Sequence, residues 1–173
     1  MIIRHCEYED LNEVMDIYAQ ARQFMKDNGN PRQWYLRNWP PLELIQKDIQ
    51  ERKSYVLIEN KKIKAVFFFD YGKDVEPTYS VIEDGHWLSD TPYGVVHRIA
   101  TKEHTSNLGT ICIQWALSQC HHLRMDTHPD NTIMQHVLKD KLHFSYCGNI
   151  HVYEDSDIRY AYEIITEEEE CIN

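Results

Sequence analysis

Residues 98 to 120 read RIATKEHTSNLGTICIQWALSQC, an apolar strand that gives way to an amphipathic helix through KEHTSNLG. A helix entered directly from a strand leaves its first N–H groups without partners and carries partial positive charge there, so it can hold an anion. His104, Thr105, Ser106, Asn107, Leu108, Gly109 and Thr110 place hydroxyls, backbone amides and one small residue at that point. Phosphate is the anion such a turn would suit; the alternative is a helix cap with no ligand. No Lys follows Gly109 as in a Walker loop, and GxGxxG is absent. The 10 histidines raise a second chemistry, metal binding. His121 and His122 are adjacent, which on a helix points them about 100° apart, and neither His-x3-His nor Cys-x2-Cys occurs, so no metal is expected.

These residues need a frame. MIIRHC reads as an opening strand. Asp10 with Glu13 resembles a capping box, and Leu11, Val14, Met15, Tyr18 and Met25 fall on one face, so a helix is expected from about Asp10 to Lys26. Gly29 and Pro31 end it; a second helix starts near Pro41 and carries Leu42, Ile45 and Ile49 inward. SYVLIE and IKAVFFFD, parted by NKK, form a strand hairpin, and YGVVHRIAT is a further strand. The next helix buries Leu108, Ile111, Cys112, Trp115 and Ala116 and leads to the strand LRMDT, a parallel crossover. A short helix from Asn131 to about Lys139 and the strands SYCGNIHVY and YAYEII complete the order β-α-α-β-β-β-α-β-α-β-β. The expected class is α+β, a mixed sheet with helices on both faces, in one domain over 1–166 with an acidic tail over 167–173.

Composition narrows the partners. A formal charge of −10 disfavours a nucleic-acid binder, which would turn a basic face to phosphates, and favours a cationic small molecule. The 5 cysteines form no CxxC pair and are odd in number, which fits a reducing cytoplasm better than a disulfide framework. No basic leader precedes an apolar segment, and no apolar run approaches the ~20 residues of a membrane helix. A soluble cytoplasmic protein with no membrane partner is expected.

The element order, with HRIATKEHTSNLGTICIQWA at its centre, resembles the GNAT superfamily of acetyl-CoA-dependent N-acetyltransferases over essentially the whole chain. GNPRQW, GHWLSDTPYGVVHRIA, LRMDTHPDNTIMQHVL and FSYCGNIH are similar, in the right order, to segments of one bacterial branch. The resemblance implies the GNAT acyl-CoA N-acyltransferase fold and acetyl-CoA as co-substrate. In that family a loop of Arg or Gln, two residues, Gly, one residue, and Gly or Ala holds the coenzyme A pyrophosphate. His104, Asn107 and Gly109 stand at those positions, so the last matches and the first two depart; Asn107 tolerates the left-handed backbone that a glycine would supply. KDKLHF carries one residue more than the family, and Leu138 stands seven residues after Asn131, where a tyrosine often protonates the leaving thiolate.

Acetyl transfer to an amine needs a neutral nucleophile, a polarised thioester carbonyl and a proton for the thiolate. The resemblance assigns the pantetheine backbone contacts to Ile99, Ala100 and Thr101, the pyrophosphate to His104 through Thr110, and further coenzyme contacts to Asn131 and Met134. It places Gln33, Trp34 and Trp87 at the acceptor, where an indole can face a cation. His97, on the strand lining the acceptor cleft, is the expected general base; the alternative is a packed histidine satisfied by a carbonyl. His128 competes for proton transfer or is a turn residue before Pro129. Arg98 is expected opposite His97, paired with Asp126 across the splayed strands. Tyr79, Tyr146 and Tyr153 are further proton-donor candidates. The expected reaction is acetyl transfer to a small-molecule amine, cationic or peptidic, in a ternary complex; the alternative is a degenerate GNAT fold that binds an acyl-CoA or small ligand without turnover. A homodimer is compatible with either.

Overall fold

The computed structural model describes residues 1–102, 107–153 and 157–167. Strand β1 (Ile2–His5) is followed by helix α1 (Leu11–Asp27) and helix α2 (Leu42–Gln50), then β2 (Ser54–Glu59), β3 (Lys62–Gly72) and β4 (Tyr93–Thr101). Helix α3 (Leu108–Cys120), strand β5 (His122–Thr127), helix α4 (Thr132–His136) and strands β6 (Ser145–His151) and β7 (Ile158–Ile165) complete the chain. The sheet runs β1-β2-β3-β4-β5-β7-β6, with every pairing antiparallel except β4 with β5. The expected α+β mixed sheet is therefore the one that forms.

Two cores follow from alternation along the strands. Leu57, Ala65, Phe67, Phe69 and Val96 turn to the side of α3, where they meet Leu108, Cys112, Ile113 and Ala116. Val56, Ile63, Val66 and Ala100 turn the other way, against Val14, Ile17 and Tyr18 of α1 and Ile45 and Ile49 of α2. Val96 and Ala100 lie four residues apart, which on an unbroken strand is one face, yet they pack on opposite sides. The cause is a bulge: β4 pairs Ala100 with Val66 and His97 with Phe68, so it carries one more residue than β3 over that interval, and Arg98 takes a φ of 51°. The phenol of Tyr18 fixes the bulge by donating to the Arg98 carbonyl at 2.9 Å.

The bulge corrects the expected Arg98–Asp126 pair. Arg98 instead reaches back to α2, where its Nε and Nη2 each lie 2.9 Å from Asp48 Oδ2. Asp10 also differs from expectation: it accepts the Glu7 N–H at 2.9 Å and takes two bonds from Arg4, so it closes a short 3-10 turn ahead of α1. Among the described residues no helix is long and apolar enough to cross a membrane.

Candidate active site

The parallel partners β4 and β5 meet only at Gly94 with Leu123 and Val95 with Arg124. Glycine is required at the root of this wedge, because a Cβ on Gly94 would stand 2.7 Å from Cys120 Sγ and 2.9 Å from a Phe69 ring carbon. From Val96 and Met125 onward these two strands no longer pair with each other among the described residues, and a cavity of about 380 Å³ lies between them. A strand edge at such a wedge can receive an extended ligand through backbone hydrogen bonds.

The cavity gathers most of the residues singled out in the sequence. Ile99, Ala100 and Thr101 line one wall, with Asn107, Gly109 and Thr110 at the mouth of α3, Asn131 at the start of α4, Met134 on it, and Gln33 and Trp34 from the α1–α2 connection. His104, Thr105 and Ser106 lie outside the described residues. The Leu108 side chain is in the core, so only its backbone can serve an anion. Asn107 has φ −77° and no capping bond of its own, so the left-handed conformation expected there is not used. Among the described residues a Cβ on Gly109 would meet only Ile99 Cδ1, at 3.8 Å. What it contributes is room in front of the first turn.

Asn131 joins two roles. Its Oδ1 accepts the Met134 N–H at 3.1 Å and its Nδ2 donates to Gln33 Oε1 at 3.1 Å, an oxygen that also accepts Asn30 Nδ2 at 2.8 Å. Trp34 is mostly buried and packs edge-on to Tyr18, so it is part of the core as well as the cavity wall.

His97 faces the cavity between two carboxylates. Its Nε2 is 2.9 Å from Glu76 Oε2 and its Nδ1 is 3.6 Å from Asp126 Oδ2. Glu76 lies on the long excursion between β3 and β4, where it also accepts from Thr78 N and Oγ1 at 3.1 and 2.7 Å. Burial alone would raise its carboxyl, but the bonds from His97 and Thr78 outweigh burial and hold it down to about 2. Asp126 Oδ2 accepts the Tyr79 hydroxyl at 2.8 Å. Burial first, and then Asp126 itself, push the Tyr79 phenol well above its ordinary range, and its hydroxyl braces Asp126.

Two expected residues do not line this cavity. His128 is fully buried; its Nδ1 accepts the Asp130 N–H at 3.0 Å and its Nε2 lies 2.9 Å from Asp157 Oδ2. With both ring nitrogens engaged, it holds the turn after β5. Trp87 is away from the cavity wall: its indole donates to the Tyr79 carbonyl at 2.9 Å and lies 4.3 Å over the Arg124 guanidinium. Among the other tyrosines, Tyr153 lines the cavity, whereas Tyr146 lies outside it and bonds to Asn149.

Sequence reasoning missed Glu76, Thr78, Asn30, Asp130 and Lys141, all on the cavity wall. Glu-Pro-Thr at 76–78 is a cap signature, and that was the available signal for Glu76. KDKLHF begins in a π-turn over Val137–Lys141, closed by the Leu142 N–H on the Val137 carbonyl at 3.0 Å. It brings Lys141 Nζ to 3.2 Å from Asn107 Oδ1, at the α3 mouth. Leu138, where a tyrosine is common in the resembling family, is fully buried.

No family model and no curated protein matches the sequence. Solved structures do. A GNAT-family acetyltransferase from Streptococcus agalactiae 2603 is 27% identical with a TM-score of 0.85, over 96% of each chain. One from Listeria monocytogenes 4b F2365 is 14% identical with a TM-score of 0.68, over 95% of this chain and 94% of that one. The ribosomal-protein-S18-alanine N-acetyltransferase from Escherichia coli is 13% identical with a TM-score of 0.60, over 99% of this chain and 98% of that one. The chain therefore has the fold of the GNAT-family acetyltransferases, and the Streptococcus agalactiae neighbour supports acetyltransferase activity in general.

Proposed function

We propose that this protein moves an acetyl group from acetyl-CoA to an amine by direct attack in a ternary complex. The carrying observation is the wedge itself: the β4 edge that β5 no longer pairs, the first turn of α3 and an imidazole converge on one cavity. The residues present fit the coenzyme. Ile99, Ala100 and Thr101 would take the pantetheine along the strand edge. The first N–H groups of α3, with Lys141 beside them, would take the pyrophosphate in front of Gly109. Asn131 and Met134 would close over the chain.

His97 accepts one proton from the ammonium form of the acceptor, freeing the nitrogen lone pair. That lone pair attacks the thioester carbon, and a β4 N–H steadies the oxyanion. Collapse of the intermediate breaks the C–S bond, and the nitrogen's second proton ends on the departing thiolate. The net products are amide, free thiol and the proton held by His97. Direct attack suits this cavity because none of its described lining residues is a cysteine that could carry the acetyl group. The carboxylates of Glu76 and Asp126 beside His97 favour a cationic amine at that end of the cavity.

Buried Leu138 favours one second reading, a domain that binds acyl-CoA without turning it over. Titration calorimetry with acetyl-CoA, with desulfo-CoA and ATP as controls, together with thiol release across a set of primary amines, separates the readings. Saturable binding weakened by Gly109→Trp, with amine-dependent thiol release, is the expected result. Binding without release by any amine leaves the second reading, and absence of binding removes both.

A further inference from the structure

We infer that Glu76, His97 and Asp126 act as one unit, in which Glu76 sets the imidazole tautomer and Asp126 docks the acceptor's ammonium against the free ring nitrogen. The inference rests on the proposed role of His97 as base and assigns work to two residues beside it. An ionised carboxylate can only accept hydrogen bonds, so a Glu76 that stays ionised requires the hydrogen of a neutral His97 to sit on Nε2. The lone pair is then on Nδ1, the nitrogen turned toward Asp126. Thr78 holds Glu76 from its far side through two bonds to Oε1, leaving Oε2 to the imidazole.

Asp126 is divided in the same way. Its Oδ2 takes the Tyr79 hydroxyl, while Oδ1 has no hydrogen-bond partner among the described residues, and the residue lines the cavity. The 3.6 Å between Nδ1 and Oδ2 is too long for a direct hydrogen bond. An ammonium docked on this carboxylate can give one N–H to Oδ1 and another to Nδ1. The proton that passes to Nδ1 leaves a neutral amine and an imidazolium flanked by two carboxylates. The groups around His97 are Glu76 and Tyr79 from the excursion, Asp126 from β5 and the ring of Phe68 from β3, with the Arg98 guanidinium, paired to Asp48, over that same Phe68 ring. Glu76 is thus a positioning residue, and Asp126 is the contact that selects a cation.

Nitrogen-15 histidine labelling, with long-range proton–nitrogen correlation on the whole protein at pH 8, reads the tautomer without any substrate. The expected spectrum shows His97 protonated at Nε2 with a pyridine-type Nδ1. In Glu76→Ala the two tautomers should mix, and Glu76→Asp should restore the preference in part. Glu76→Gln, of nearly the same shape, is the second variant should the alanine form fail to fold. A wild-type Nδ1–H tautomer, or an unchanged one in both the alanine and glutamine variants, overturns the role of Glu76. Titration with n-butylamine should move the His97 Nδ1 signal, and Asp126→Asn should weaken that titration about ten- to a hundredfold while leaving acetyl-CoA affinity unchanged. Failure of butylamine to move the signal, or an unaltered titration in Asp126→Asn, overturns the docking role. His97→Gln in the thiol-release assay is a separate arm. Retained turnover there removes the base reading, whereas lost turnover with an unperturbed tautomer in the Glu76 variants removes only the inference made here.

Discussion

Asp48 on α2 receives the Arg98 guanidinium through both Nε and Nη2 at 2.9 Å, tying a helix to the bulge that opens the sheet. The pair is nearly closed off from water, and the guanidinium also lies 4.4 Å over the Phe68 ring. Burial pushes the Asp48 carboxyl above its ordinary range despite the attraction of Arg98, so the ion pair does not fully offset its desolvation. Asp48→Ala is therefore expected to cost about 3–5 kcal/mol, because it strands a buried cation. The double replacement Asp48→Leu with Arg98→Met should recover most of that loss. Urea unfolding of the two single variants and the double variant measures the coupling, and additive losses would contradict this account.

A second buried charge clamps the excursion that carries Glu76. Glu163 on β7 is fully buried; its Oε1 takes His122 Nε2 at 2.5 Å and Arg124 Nε at 2.8 Å, and its Oε2 takes the Leu88 N–H. Arg124 in turn donates to the Ser89 carbonyl and lies between the rings of Trp87 and Tyr93, at 4.3 and 4.1 Å. Burial would raise the Glu163 carboxyl, yet these donors prevail and hold it below its ordinary value. An unfolded glutamate titrates near about 4.3, so the stability it lends is present above that pH and is lost as pH falls through its lower folded value. Glu163→Gln should cost about 3–5 kcal/mol at pH 7, with a smaller penalty at pH 3. Urea midpoints across that range test the sign.

Strand β4 was legible in full, since YGVVHRIAT is an apolar run bounded by Pro92 and the polar KEHTSN. Its consequence was not. Reading Arg98 and Asp126 as partners assumes unbroken alternation, and the bulge that reverses it depends on a contact with Tyr18, 80 residues away in sequence. Glu76 escaped for a different reason. The stretch from 73 to 92 has no periodicity to follow, and its place beside His97 is fixed by the distant Arg124–Glu163 clamp. Trp87 illustrates the same limit: its residue type suggested a cation, and it does face one, but the cation is Arg124 in the scaffold. The open wedge itself was legible only through resemblance, because nothing in the β5 sequence announces that pairing stops at Arg124.

The π-turn supplies a test of the coenzyme site that avoids α3 itself. Lys141 is brought to Asn107 by the π-turn, and a cation there adds to the field of the first-turn N–H groups of α3. Lys141→Glu should weaken acetyl-CoA about tenfold or more, and Lys141→Arg should restore it, as charge-assisted phosphate bonds require. Calorimetry at two salt concentrations checks the origin, since the difference between wild type and variant should shrink at high salt.

The cysteines decide between direct attack and an acyl-enzyme. Burial pushes Cys112 up to about 12 and Cys6 and Cys147 to about 11, so at pH 7 essentially none of these thiols is ionised, and the thiolate is the nucleophile. Cys120 is also raised, by burial against its bonds at His122 and Gly94, and it lies at the closed root of the wedge. None of the four belongs to the cavity wall. Incubation with acetyl-CoA alone, followed by intact mass measurement after acid quench, should therefore show no added acetyl group on the peptides that contain them. Iodoacetamide should reach these four only after urea is added. A stable acetyl adduct on any of them that disappears on adding an amine would establish a ping-pong route and overturn the ternary-complex reading. Its absence, with thiol release that needs both substrates present, is what a cavity without a cysteine on its described wall requires.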